Sequence, residues 1–175
     1  LFVWMGEILF RTKLSENLFK GLAPWMSRLP GGLIHVNVVG CALFAAISGS
    51  SAATVATVGK MSIPELRKRN YPEKLLLGSL AGSGTLGLLI PPSIILIIYG
   101  VTVQESIAKL FIAGIIPGIM IAIFFMFYVI GWSMLNKNIM PKMNETFSFS
   151  QKIKQSGQLI PIIVLIVAVI GSIYV

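Results

Sequence analysis

The chain has 175 residues, 55% of them hydrophobic and 11% charged, with a mean hydropathy of +0.87 and a formal net charge of +8. A soluble domain of this size needs far more charged surface, so the solvent implied is lipid and soluble-enzyme classes fall away. One cysteine (Cys41), one histidine (His35) and no aspartate supply neither a disulfide, a metal cluster nor a nucleophile–base pair, so the chain reads as not an enzyme.

In chain order, residues 1–10 are already apolar and carry no signal-peptide pattern; they read as the end of a truncated membrane helix. A cytoplasmic connection follows to residue 30. Residues 31–59 carry no charge but are rich in Gly, Ala, Ser and Thr, too polar in their second half for an ordinary span. A basic loop, 60–74, leads to an apolar block at 75–100, broken by glycines and by Pro91-Pro92. A short neutral connection, 101–109, precedes an apolar span at 110–135. A basic loop, 136–156, then leads to a last apolar run, 157–175, which ends inside hydrophobic sequence like a truncated span.

Charge sets the expected topology. Segments 11–30, 60–74 and 136–155 each carry a net charge of +3, whereas Glu105 and Lys109 cancel in 101–109. Basic connections favour the cytoplasm. A single crossing by 31–59 would put its two basic flanks on opposite faces; a re-entrant hairpin puts both inside. The expected fold class is therefore all-α: a polytopic membrane protein with a re-entrant helical hairpin and a broken transmembrane helix. The net charge needs no nucleic-acid partner, since the bilayer's anionic headgroups are the natural neighbours of these loops.

Two places invite non-helical backbone at membrane depth, which is tolerated only where protein or a watery cavity satisfies it. One is the hairpin tip, Ser48-Gly49-Ser50-Ser51, followed by the stretch Ala52 through Thr57, which starts a half-helix whose N–H groups favour an anion. The other is Gly82 to Ser93, whose free carbonyls suit a hard cation such as Na⁺. Simple close packing of small residues is the competing reading for each.

The strings AISGSSAATVATVG (46–59), GTLGLLIPPSIILIIYG (84–100) and LFIAGIIPGIM (110–120) resemble the large membrane subunit of tripartite ATP-independent periplasmic (TRAP) transporters. The resemblance implies one half of an inverted-repeat, elevator-type carrier in the bacterial inner membrane. It also implies a small membrane subunit (separate or fused), a periplasmic substrate-binding protein, organic-anion substrates such as C4-dicarboxylates, 2-oxo acids or sugar acids, and Na⁺ as coupling ion with no other cofactor. By the same resemblance Ser48, Gly49, Ser50, Ser51, Gly84 and Thr85 form an Na⁺ site. Ser50, Ser51, Ala52, Thr54, Pro91 and Pro92 form a substrate wall. The pattern covers one repeat, so this segment by itself is not expected to transport.

Other conspicuous residues have quieter readings. His35 is interfacial or packing, because an intramembrane proton relay wants acidic partners. Asn37 hydrogen-bonds across the hairpin. Glu7 pairs with Arg11 one turn on. Trp4, Trp25, Trp132 and Tyr128 anchor the interfaces, and Cys41 packs. Two competing functions remain open: an ion channel with a re-entrant pore loop and a non-transporting membrane scaffold.

Overall fold

The computed structural model describes residues 14–137, 139–141 and 155–174. Among them every regular element is helical: α1 (Leu14–Met26), α2 (Ile34–Ser48), α3 (Ser51–Lys68), α4 (Glu73–Gly84), a 3-10 turn (Thr85–Leu88), α5 (Ile94–Val103), α6 (Ile107–Leu135) and α7 (Ile160–Tyr174), the last entered through a 3-10 turn at Gly157–Leu159. The segment holding Trp4, Glu7 and Arg11 lies outside the described residues, as does most of the 136–156 connection.

α2 is the centre of the molecule. It is apolar all round, and every residue in it except Val39, Ala42 and Leu43 is buried, as expected of a helix packed on all sides. Leu18 and Leu22 of α1, Val58 and Leu66 of α3, Leu75, Leu76 and Leu80 of α4, Val129 of α6 and Ile162 of α7 join Ile34, Val36, Phe44 and Ile47 in one hydrophobic cluster. In the lipid solvent that the composition implies, what such a shared cluster contributes is close packing between side chains, not transfer out of water.

α2 and α3 form an antiparallel helical hairpin. Ser48 meets Thr54, a Cβ on Gly40 would lie 3.6 Å from Val58, and the Leu33 N–H donates to the Tyr71 hydroxyl at 3.1 Å. These pairs recede evenly from the turn at Gly49-Ser50. Gly59 permits a close approach by α4, where a Cβ would sit 2.9 Å from Leu80 Cδ2.

The hairpin's second arm is longer than the charge pattern suggests. α3 runs past Gly59 to Lys68. The onset of charge at Lys60 marks a change of surroundings, not of backbone, because nothing from 60 to 68 requires a left-handed residue. Glu65 adds weak exposed pairs to Lys68 and Arg69 at 3.9 and 3.7 Å. The helix stops where Asn70 turns left-handed (φ 57°) and the Tyr71 N–H caps Leu66 O at 3.1 Å. The connection after α5 is correspondingly shorter than 101–109, because α5 runs to Val103 and left-handed Gln104 starts the turn into α6.

Asn37 bonds to α4 instead of across the hairpin. Its Nδ2 donates to Ser79 Oγ at 3.0 Å and Leu76 O at 3.3 Å, because α4 packs against that face of α2.

α6 has 29 residues, or about 44 Å of helix at 1.5 Å per residue, against a hydrocarbon core of about 30 Å. Among the described residues it is the helix long and apolar enough to cross a membrane. Its outer face is bare, with Ile116 73% exposed.

Candidate functional site

The tip of the hairpin is built by three consecutive backbone choices. Gly49 takes the left-handed conformation (φ 60°), which ends α2 with its N–H on Ala45 O at 3.1 Å. Ser50 is extended and caps α3, its Oγ accepting the Ala53 N–H at 3.4 Å. The Ser51 and Ala52 amides precede the first helical carbonyls and so have no partner within the helix.

A hydroxyl network closes the turn. The Thr54 hydroxyl lies 2.8 Å from Ser50 O and 2.9 Å from Ser48 Oγ, and Ser48 Oγ lies 3.3 Å from Ser50 O. Each hydroxyl has one proton, so if Thr54 donates to Ser50 O, Ser48 donates to Thr54. Both side chains are fully buried, at 0% exposure. Buried hydroxyls bonded to each other keep spare lone pairs and present oxygen, not charge.

The tip sits on the interrupted element that follows α4. That element leaves α-helical geometry at Gly84, passes through the 3-10 turn, and resumes as α5 at Ile94, with Pro91-Pro92 cis in between. Gly49 O accepts the Ile94 N–H at 3.3 Å. A Cβ on Gly87 would come within 2.9 Å of Ser51 Cα and Ser51 N, and a Cβ on Gly84 would collide with Val55 Cγ2. Only residues without side chains allow the two backbones to lie this close.

Four helix ends therefore meet here. The α2 and α4 ends present carbonyls, with partial negative charge; the α3 and α5 starts present N–H groups, with partial positive charge. The arrangement suits a cation on one side and an oxyanion on the other. Among the described residues no three His, Cys, Asp or Glu side chains cluster, so a cation here would rely on hydroxyl and carbonyl oxygens, a donor set that fits a hard monovalent ion.

The expected site residues fall into two groups. Ser48, Gly49, Ser50, Ser51 and Thr54 share the tip, and Gly84 abuts it. Ala52 and Thr85 are exposed, and the Thr85 hydroxyl donates back to Gly82 O at 2.7 Å. Pro91 and Pro92 are buried in the break. The Ser93 hydroxyl ties the break together through Leu88 O at 2.7 Å.

Three glycines matter that the site reading had not singled out. Gly87 follows Gly84 by three residues, the spacing that eclipses side chains in a 3-10 turn. Gly114 and Gly118 follow the G-x-x-x-G pattern on α6. Their Cβ positions would fall 2.7 Å from Leu89 O and 2.8 Å from Ile90 Cγ1, so α6 buttresses the break from behind.

The model of the family described as "Tripartite ATP-independent periplasmic transporter, DctM component" matches residues 1–175. The chain is 33% identical over 187 aligned residues to a C4-dicarboxylate TRAP transporter large permease protein of Rhodobacter capsulatus, covering 99% of this chain and 42% of that protein. It is 38% identical over 127 residues to an isethionate TRAP transporter permease protein, DctMQ, of Oleidesulfovibrio alaskensis, covering 73% of this chain and 20% of that one. It is 35% identical over 136 residues to an ectoine/5-hydroxyectoine TRAP transporter large permease protein of Ruegeria pomeroyi, covering 78% of this chain and 32% of that one. The chain thus spans less than half the length of each of these relatives.

Proposed function

Because the chain belongs to the DctM-component family of tripartite ATP-independent periplasmic transporters, we propose that it carries one hairpin and one broken helix of an Na⁺-coupled permease for organic acids in the bacterial inner membrane. In this reading a periplasmic binding protein delivers the substrate and a small membrane subunit, separate or fused, braces the permease.

The observation that carries the reading is the contact of the hairpin tip with the interrupted helix, through Gly49 O and Ile94 N and through Gly87 on Ser51. The tip hydroxyls of Ser48 and Thr54, with the carbonyl ends of α2 and α4, hold Na⁺. The N-terminal amides of α3 and α5 face the acid group. C4-dicarboxylate, isethionate and ectoine, which name the relatives' substrates, all carry a carboxylate or sulfonate, and a helix N-terminus favours either.

Lengths support a re-entrant position. α2 has 15 residues, about 22 Å, and α5 has 10, about 15 Å, so each ends inside a core about 30 Å thick. The three basic connections also converge: Pro30, Tyr71 and Lys137, one from each, line a single cavity at the hairpin's base. That placement suits one cytoplasmic face.

The test is uptake by the full-length permease with its partners in sealed vesicles, with an inward Na⁺ or K⁺ gradient. Uptake is expected only with Na⁺, and Ser48→Ala combined with Thr54→Val is expected to raise the Na⁺ concentration needed for half-maximal rate at least tenfold. Equal uptake with K⁺, or an unshifted Na⁺ dependence in the double variant, would refute the ion site.

A further inference from the structure

The base of the hairpin holds a cavity of about 420 Å³ that the transport site does not use. It lies at the far end of α2 from the tip, about 22 Å away along the helix. The α1–α2 connection supplies Ser27 and Leu29, the α3–α4 turn supplies Tyr71, the end of α6 supplies Ser133, the turn just past it supplies Lys137, and Met140 closes the side.

The lining has a consistent chemistry. Ser133 is only 6% exposed yet lines the space. Tyr71 is held in place by the Leu33 N–H, and Ser27 by its own hydroxyl bond to Pro24 O at 3.1 Å. Lys137 is exposed and has no acidic partner among the described residues. Among the described residues that line the cavity none is acidic, and Arg28 stands exposed beside Ser27. A hydroxyl and an ammonium group, with no carboxylate among the described residues around them, recognise an oxyanion.

The remaining walls say which oxyanion. Leu29, Pro30, Met134, Met140 and Pro141 make much of the surface apolar. Outside it, Leu135 is 87% exposed on the bare face of α6. A free inorganic anion has no use for such walls, whereas a lipid phosphate carries glycerol and acyl chains that cover them. We propose that this cavity seats the phosphate headgroup of an acidic phospholipid, with Lys137 and Ser133 on the phosphate and the acyl chains along α6.

The experiment uses the full-length permease with its partners, purified and delipidated in mild detergent. Thermal unfolding is followed while phosphatidylglycerol, phosphatidylcholine of the same chain length, or inorganic phosphate is added. Phosphatidylglycerol is expected to raise the melting temperature saturably, and phosphatidylcholine and inorganic phosphate are not. Lys137→Gln should need roughly fivefold more phosphatidylglycerol for the half-maximal shift, the effect of losing one basic contact at an anionic surface. Ser133→Ala should weaken the response in the same direction, and Lys109→Gln, in the first turn of α6 at its far end, should leave it at the wild-type value.

Equal responses to phosphatidylglycerol and phosphatidylcholine, or an unchanged response in Lys137→Gln, would overturn the proposal. Stabilisation by inorganic phosphate that Lys137→Gln abolishes would overturn the lipid in favour of a free anion. Because Lys137 is exposed, its variant folds normally and the lipid-free melting temperature serves as the check.

Discussion

Replacing Gly87 by alanine places a methyl carbon 2.9 Å from Ser51 Cα and Ser51 N and 3.0 Å from the Ser50 carbonyl carbon. All three are backbone atoms, so no side chain can swing aside. Ordinary contact begins near 3.4 Å, and the tip and the 3-10 turn must separate by about 0.5 Å. Inserting a methyl into packing this tight costs about 1–3 kcal/mol. Metal–oxygen distances tolerate only about 0.2 Å, so the same displacement would spoil the proposed cation site between the two elements.

If the cost falls on the ion-bound state, the Na⁺ concentration for half-maximal uptake rises roughly 5- to 150-fold. The assay is substrate uptake against Na⁺ concentration in vesicles, run beside thermal unfolding. Gly78→Ala is the matched control, since a Cβ there meets nothing within 4 Å, and alanine in a helix interior stabilises by about 0.5–1 kcal/mol. A Gly87→Ala permease with wild-type Na⁺ dependence and wild-type melting would refute the close apposition of tip and turn.

Gly114→Ala drives a methyl to 2.7 Å from Leu89 O and should lower the melting temperature, by about 1–3 kcal/mol in stability, while Gly131→Ala, with open space around it, should not. Asn37→Asp replaces the amide donor to Leu76 O and Ser79 Oγ with a carboxylate at a fully buried position, and should cost several kcal/mol and most of the folded yield; Asn37→Leu leaves Ser79 bonded to Leu76 O at 2.9 Å and should cost about 1 kcal/mol. Equal melting of the two variants would contradict this. A thiol at Lys68 should react with an impermeant reagent only from the cytoplasmic side and one at Glu105 only from outside, since native Cys41 is fully buried and silent. External labelling at 68 would overturn the single-face placement of the basic connections.

Much of this was legible in the residues themselves. Apolar blocks and their lengths dictate helices in lipid, because a backbone without water must bond to itself. Ser48 to Ser51 and Gly82 to Ser93 announce interruptions, since glycine and proline act on the backbone locally, whatever surrounds them. Helix ends were less legible: charge begins at Lys60, but the helix stops at Lys68, where Asn70 and Tyr71 close it. What only the tertiary structure decided is who meets whom. Asn37 turned to α4 and not α3, Thr85 turned outward to Gly82 while Gly84 and Gly87 met the tip, and three distant basic connections enclosed one cavity. Composition sets which groups seek burial or an oxygen partner; distances between residues far apart in the chain follow from how helices share one close-packed core, and no local pattern encodes them.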